Sequence, residues 1–382
     1  MQNKNFLTSE LITRDLQMFL AGNFGILPNP DKVLRKTGKT IDIYRDLKTD
    51  PHVWSCVQSR KSGILSLEFI ISPNGATNSI VAEIEKMFSD MDIQQVERDI
   101  LEAPLFGYQP LEILWNFKGS DRKFLYPEKI VAKPQEWFFY DTNGEFRYKK
   151  SGEPKGVPVP PLKILNVQYE ASYLNPYGHS LLGKCYWPVI FKNGGVKFWV
   201  NFTEKYGMPI LMGQYTRGAT NDEAQRLADE LANMTEDAVI VAPSDIKLEM
   251  HEAGRDSSVN LYSELIKFCN TEISKVILSQ TLTTELDGGS YAAAQTHYQI
   301  RQEVIQSDIR LVEAAINKII QYVVDLNFAG SKYPKFNILV NDADNVQKID
   351  RDLKISQTGA VQFTKKYWMS SYGFKEDELS VS

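Results

Sequence analysis

The residues that most often ligate metal ions are scarce in this chain. Only four histidines and three cysteines occur among 382 residues. They are His52, His179, His251, His297, Cys56, Cys185 and Cys269. No histidine has a second histidine, a cysteine or a carboxylate at the spacing of a metal-binding pair, so we expect no metal site and no cofactor. The cysteines lie far apart in apolar surroundings, which predicts free buried thiols in a reducing compartment.

The motifs of common catalytic and nucleotide-binding sites are also missing. Neither glycine pair, Gly194-Gly195 or Gly288-Gly289, is followed by the Lys-Ser or Lys-Thr of a phosphate loop or preceded by a strand. The G-x-S-x-G motif of a hydrolase is absent. Glu285 and Asp287 lie close together, but a solvated turn explains two acidic residues in a polar loop better than catalysis does. We therefore expect a protein that is not an enzyme.

Long apolar runs and an excess of positive charge are two further absences. No run reaches the roughly 18 residues that a membrane-spanning helix needs, and the N-terminal segment is too polar for a signal peptide. We expect no association with a membrane. The formal net charge of −5 argues against tight binding of nucleic acid over a large surface, because such binding depends on many lysines and arginines.

What the sequence does contain is a pair of long helical patterns. Apolar residues recur every three or four positions over residues 257–277 and again over 291–328, which predicts two helices with one buried face each. The second helix would be roughly 50 Å long. Because such a face is too long for the core of one subunit, we expect Ile316 and Ile320 to pack against a neighbouring subunit.

The loop between these helices, from Leu278 to Ser290, has no lysine or arginine. Its polar and glycine residues include Gln280, Thr281, Thr283, Thr284, Glu285, Asp287, Gly288 and Gly289. Hydroxyl groups contact a phosphate backbone weakly and acidic groups repel it, so this loop would not bind DNA tightly. An ordinary polar connection between two helices is the alternative interpretation.

The segments before the two helices predict a mixture of helices and strands. Asp50-Pro51 marks a helix start, and Asn143-Gly144 marks a tight hairpin between two aromatic strands. Residues 152–161, GEPKGVPVPP, predict a surface loop. Pro188 and Gly194-Gly195 should kink or interrupt the helix that follows.

A small insert ahead of the second helical region is acidic. From Gly207 to Asp256 there are four lysines and arginines against ten aspartates and glutamates, a balance of −6. Thr220 and Glu223 form a capping box ahead of a helix. The acidic surface predicts a basic partner, because complementary charges steer encounter. The residues expected to contact this partner are Asp229, Glu230, Glu236 and Asp237.

Four stretches of the chain, in this order, resemble the Mu-type portal family of tailed phages: DPHVWSCVQSRK, LFGYQPLEILW, EKYGMPI and LSQTLTTELDGGSYAAAQTH. The resemblance covers roughly residues 40–330 and implies a portal-like α+β fold. The implied parts are an α+β wing domain (41–175), a first stem helix region (176–207), a clip insert (208–256), a second stem helix (257–278), a tunnel loop (279–290) and a long helix on the wing and crown side (291–328). Outside the resemblance, the lack of a sustained period predicts an irregular N-terminal arm (1–40), and a short C-terminal region (329–382) follows the long helix.

The resemblance also implies a function. The chain would be one subunit of a ring, typically of twelve copies, assembled in the bacterial cytoplasm and placed at one vertex of the virion capsid. Double-stranded DNA would be packaged and ejected through the ring without sequence recognition. The implied partners are the terminase large subunit, the major capsid or scaffolding protein and a head-tail adaptor. A non-portal helical scaffold or adaptor protein of a phage or prophage particle is the alternative.

Overall fold

A computed structural model of the chain describes residues 26–118, 124–206, 211–216, 218–234, 239–244, 255–281, 291–340, 344–358, 363–364 and 367. The described residues form two compact units. The first unit draws on residues 1–61, 99–112 and 131–307, and the second draws on residues 62–98, 113–130 and 308–382.

The helices of the described chain range from one turn to ten turns. In chain order they are α1 Lys32–Thr37, α2 Ile43–Leu47, α3 Pro51–Leu65, α4 Asn78–Ser89, α5 Ile93–Ile100, α6 Ala103–Phe106, α7 Leu181–Tyr206, α8 Asn221–Met234, α9 Arg255–Leu278, α10 Tyr291–Asn327 and α11 Asp344–Gln357. Among the described residues, every helix is too short or too polar to cross a membrane.

The strands of the described residues form four small sheets. In chain order they are β1 Ile26–Leu27, β2 Phe69–Ser72, β3 Tyr108–Lys118, β4 Phe124–Ala132, β5 Phe138–Asp141, β6 Phe146–Lys150, β7 Glu153–Pro158, β8 Ile164–Gln168, β9 Leu211–Tyr215, β10 Val239–Pro243 and β11 Lys335–Ile338. The sheets have the orders β1-β5-β6-β7, β4-β3-β8, β2-β11 and β9-β10. This mixture confirms the α+β class predicted from the sequence.

Aspartate side chains start two helices near the beginning of the described chain. Asp31 Oδ1 accepts a hydrogen bond from the backbone N–H of Val33 at 2.8 Å and so caps α1. The prediction of an irregular arm over residues 1–40 is therefore wrong for residues 32–37. Asp50 Oδ1 accepts from the backbone N–H groups of His52 at 2.9 Å and Val53 at 3.1 Å, which confirms the predicted start of α3.

The predicted aromatic hairpin is present in the four-stranded sheet. Strands β5 and β6 pair antiparallel, and Gly144, with a φ of 82°, donates its backbone N–H to the Asp141 carbonyl at 2.9 Å. The predicted loop over residues 152–161 is wrong, because Glu153–Pro158 is strand β7. Strand β7 is last in the sheet order, where its prolines do not interrupt a ladder on both sides.

Helix α7 is one continuous helix of 26 residues. The prediction that Pro188 and Gly194-Gly195 interrupt it is wrong. A proline costs one helical hydrogen bond and the glycines weaken the helix, but packing of a helical face supplies most helical stability in a folded protein. Leu182, Cys185 and Val189 of α7 are all buried in the core of the first unit.

In the second unit, a two-stranded ribbon is held by aromatic packing. Strands β2 and β11 pair antiparallel, and the rings of Phe69 and Phe336 stack with centroids 4.7 Å apart. The Phe88 ring lies 5.8 Å from that of Phe336. Asn317 of α10 accepts from the backbone N–H of Phe336 at 2.8 Å and donates to its carbonyl at 3.0 Å. This part of α10 therefore packs on the ribbon.

The burial of Ile316 and Ile320 corrects their predicted role. Both side chains have 0% exposure within the single chain, so neither offers surface to a neighbouring subunit. The sequence periodicity showed correctly that this face of α10 is apolar. The periodicity could not show what covers this face, and in the structure other parts of the same chain cover it.

Candidate functional site

Helices α7 and α9 form a pair in the first unit. An added Cβ at Gly195 would lie 2.9 Å from Leu265 Cδ2, so the absence of a side chain lets α9 approach closely. Further along, the rings of Phe202 and Tyr262 lie 6.1 Å apart. The two contacts run in opposite sequence directions, which makes the helices antiparallel. These are the two segments that the sequence predicted as stem helices.

A buried ion pair ties α7 to the start of α3. Lys192 Nζ lies 2.8 Å from Asp50 Oδ2 and 2.9 Å from Oδ1, and the side chains are 12% and 3% exposed. The same carboxylate caps α3, so its oxygens accept from the lysine and from two backbone N–H groups. The cap is a local sequence signal, whereas the ion pair joins two residues 142 positions apart and has no local signal.

A second polar contact ties α9 to α3. His52 Nε2 and Ser274 Oγ are hydrogen-bonded at 2.7 Å. A serine and a histidine at this distance could suggest a nucleophile and its base, but Ser274 is fully buried. A substrate could not reach the hydroxyl, so the contact positions the helices instead.

The three cysteines are free and buried, as the sequence predicted. Burial, together with nearby Cys56 and Asp50, raises the pKa of the Cys185 thiol to about 12. Burial also raises the pKa of Cys56. Thiols with such pKa values stay protonated at neutral pH and are poor nucleophiles. Within the described residues, histidine, cysteine and acidic side chains form no group of three or more that could hold a metal ion.

The end of α9 leads into the predicted tunnel loop. Arg60 Nη1 donates to the carbonyl of Ile277 at 2.8 Å, which satisfies a carbonyl of the last helical turn. Ser279 then adopts a φ of 57°, which ends the helix. Gln280 is only 3% exposed, and its Oε1 has no hydrogen-bond partner among the described residues. A buried side chain cannot face a channel, so we correct the assignment of Gln280 to the exposed loop surface.

Thr281, the next residue, is half-buried. The remaining residues predicted to line a channel lie outside the described residues: Thr283, Thr284, Glu285, Asp287, Gly288 and Gly289.

A cavity of about 480 Å³ lies beside the end of α9, within the first unit. Its charged lining residues are Arg60, Lys184, Lys275, Glu170 and Glu303. Three cationic groups stand against two acidic ones, which leaves a formal charge of only +1 on the lining. The cavity therefore lacks the concentrated positive charge that would bind a phosphate group.

The acidic insert is a strand-helix-strand unit. Strands β9 and β10 pair in parallel, and Gly213 of β9 lies under Leu227 and Leu231 of α8. The predicted capping box is present, because Glu223 Oε2 accepts from the backbone N–H of Thr220 at 2.9 Å. Asp229 and Glu230, two of the residues predicted to contact a partner, are exposed on α8. The other two, Glu236 and Asp237, lie outside the described residues.

Solved structures with a similar fold come from gene transfer agent particles. A chain from the neck of an empty particle matches with a TM-score of 0.60, covering 96% of this chain and 100% of that chain at 12% sequence identity. A chain from the virion of a native particle matches with a TM-score of 0.59, covering 95% and 99% at 11% identity. At identities this low, the likeness concerns the fold alone.

Sequence comparison identifies the family. The model of the portal protein of Mu bacteriophage matches residues 41–374, so this chain belongs to that family. The portal protein of Escherichia phage Mu is 27% identical over 286 residues, and the Mu-like prophage FluMu protein gp29 of Haemophilus influenzae is 26% identical over 285 residues. Each match covers 72% of this chain and 54% of the relative, so the chain spans about half the length of these relatives. The predicted family is confirmed.

Proposed function

We propose that this chain is the subunit of a portal ring at one capsid vertex of a phage or prophage particle. Double-stranded DNA would be packaged and ejected through the ring. The observation that carries this proposal is the family match over residues 41–374. The solved chains with a similar fold come from the neck and virion of a gene transfer agent particle, and the proposal extends such a location to this chain. Twelve copies, assembled in the host cytoplasm, are the expected ring.

Each segment of the chain takes one role in this proposal. Residues 41–175 are the wing beside the capsid shell, and α7 and α9 are the stem helices. Residues 208–256 are the clip that protrudes from the capsid, and 279–290 are the tunnel loop. The antiparallel packing of α7 on α9 supports a stem, because the chain must leave the body for the clip and return.

The charge of the tunnel loop suits a channel through which DNA slides. Each phosphate neutralised by a lysine or arginine releases counterions and strengthens binding, so a basic lining would hold the duplex in place. Residues 278–290 contain no positive charge, and Glu285 and Asp287 repel phosphates over a Debye length of about 8 Å at physiological salt. Burial of Gln280 and half-burial of Thr281 leave the residues from Thr283 onward as the channel surface of this proposal.

The clip would dock the partners outside the capsid, which are the terminase large subunit during packaging and a head-tail adaptor afterwards. Its acidic balance of −6 over residues 207–256 calls for a basic surface on those partners. Asp229 and Glu230 support this role because both are exposed on the same helix.

The double substitution Thr283→Lys and Thr284→Lys tests the channel. It should leave ring assembly unchanged and add up to two phosphate contacts for each subunit. Because the logarithm of the binding constant falls with the logarithm of salt by about 0.9 for each phosphate neutralised, DNA retention should become steeply salt-dependent. Packaging and ejection by particles that carry the variant should be slow at low salt.

The matched control places the same two charges elsewhere. Gln94 and Gln95 are adjacent and exposed, and lysine at both positions should leave packaging and ejection unchanged. Normal packaging and ejection with the Thr283 and Thr284 variant at low salt would remove this loop from the channel.

A further inference from the structure

The two proposed stem helices expose large apolar side chains. Seven of them form what we call the aromatic face: Trp187, Ile190, Phe191, Phe198, Leu261, Leu265 and Phe268. On each helix its members recur mostly at intervals of three or four residues, so they share one side of the helix. Leu265 joins the two stripes, because its side chain lies against Gly195 of α7. The solvent-exposed rings of Trp187 and Phe191 stack with centroids 5.7 Å apart.

The area of the aromatic face is that of a protein interface. Its members are between 37% and 69% exposed. At about 200 Å² for each side chain and about half of each exposed, seven members leave about 700 Å² of apolar surface in water. The largest apolar patch of a typical monomer covers about 300–600 Å², whereas a stable interface buries about 800 Å² on each partner. The face is therefore large enough to need a protein partner.

Helix α7 also exposes apolar side chains on its opposite side. Val196 and Val200 are 39% and 50% exposed, and we call this pair the valine face. Each lies two positions from Phe198, which places it about 160° from Phe198 around the helix axis. One helix thus presents two different apolar surfaces in opposite directions.

We infer that the aromatic face of one subunit packs against the valine face of the next copy of this chain. A contact between two different surfaces repeats head to tail and forms a ring when the rotation between copies closes, whereas a self-complementary contact uses one surface only and stops at a dimer. Gly194 lies between Phe191 and Phe198 on the aromatic face, and a Cβ added there would meet nothing within 4 Å. The missing side chain leaves open space on the aromatic face, which a branched side chain such as valine from the next copy would fill. The inference rests on the proposed ring and names the surfaces that build it.

The first test uses single faces. Phe198→Asp with Phe268→Asp blocks the aromatic face, and Val196→Asp with Val200→Asp blocks the valine face. Native mass spectrometry of the purified full chain should show rings for the wild type and loss of rings for both variants. Leu174→Asp is the matched control, because Leu174 is 83% exposed and lies outside both faces; this variant should keep its rings. Circular dichroism checks that every variant retains its helical content.

Mixing the two blocked variants tests the pairing itself. Each retains the surface that the other lacks, so an equimolar mixture should form one-to-one dimers, although each variant alone is monomeric. Rings that persist in either blocked variant, or a mixture that stays monomeric, would overturn the assignment of these faces. Persisting rings would leave the proposed portal function intact. A wild-type chain that forms no rings would contradict the proposed function as well.

Discussion

Removing the positive charge from the buried Asp50–Lys192 pair should destabilise the protein more than any surface change on the same helix. In Lys192→Met the methionine fills most of the lysine volume, but the Asp50 carboxylate, 3% exposed, loses the cation at 2.8 Å that compensates its burial. Its remaining partners are the two backbone N–H groups of the α3 cap. Breaking a buried pair by removing one partner typically costs about 3–5 kcal/mol. We expect a loss in that range.

A double-mutant cycle separates the charge from the packing. Asp50→Asn keeps a residue that can cap α3 and removes the negative charge. Combined with Lys192→Met it leaves no buried ion, so the double variant should lie within about 1 kcal/mol of the wild type. The assay is urea unfolding followed by circular dichroism at one fixed protein concentration, because assembly adds to apparent stability. A Lys192→Met cost below about 1 kcal/mol, or a double variant as unstable as the sum of the single variants, would refute the reasoning.

Three further predictions concern other parts of the chain. Glu97 is 5% exposed, and burial raises its pKa from 4.5 to about 7. The folded state therefore binds the proton of Glu97 more tightly than the unfolded state does, so this residue lowers the stability of the protein as pH rises from about 4.5 to 7. Glu97→Gln should stabilise the protein by about 3 kcal/mol at pH 8 but little at pH 4.5. An equal effect at both pH values would contradict this prediction. Gly178→Ala should lower the free energy of unfolding in urea by more than about 2 kcal/mol, because φ is 71° and the new Cβ collides with two backbone carbonyl oxygens. Gly38→Ala, with a φ of 65° in open space, should lower it by about 1 kcal/mol. Equal losses for the two variants would exclude the collision. Asp229→Asn with Glu230→Gln should slow the proposed association of the terminase large subunit with the proposed clip at low salt, as measured by stopped-flow fluorescence. An unchanged rate would remove these acids from docking.

Local signals in the sequence were sufficient where short-range hydrogen bonds decide the structure. The cap at Asp50, the capping box of Thr220 and Glu223 and the turn at Gly144 each involve residues within a few positions of one another. Their geometry follows from backbone groups that must be satisfied at a helix end or a turn. Each was predicted correctly for that reason.

The error at β7 is a local one: its prolines favour a loop, but the strand pairs with the neighbouring strand β6, with Lys150 opposite Glu153. The other errors lie where a distant segment decides the outcome. Helix α7 continues through Pro188 because it packs in a core. The apolar pattern at Ile316 and Ile320 fits burial within one chain as well as contact with a neighbouring subunit. Only the fold shows that the same chain buries both side chains. The Asp50–Lys192 pair and the aromatic face likewise depend on contacts between helices that periodicity cannot show.

Electron microscopy of the purified full chain, with native mass spectrometry of the same sample, shows directly whether the protein assembles as a portal. A portal subunit should form closed rings of one defined subunit number with a central opening wide enough for double-stranded DNA. Monomers, dimers or assemblies without an opening would contradict the portal function and would favour a scaffold or adaptor protein instead.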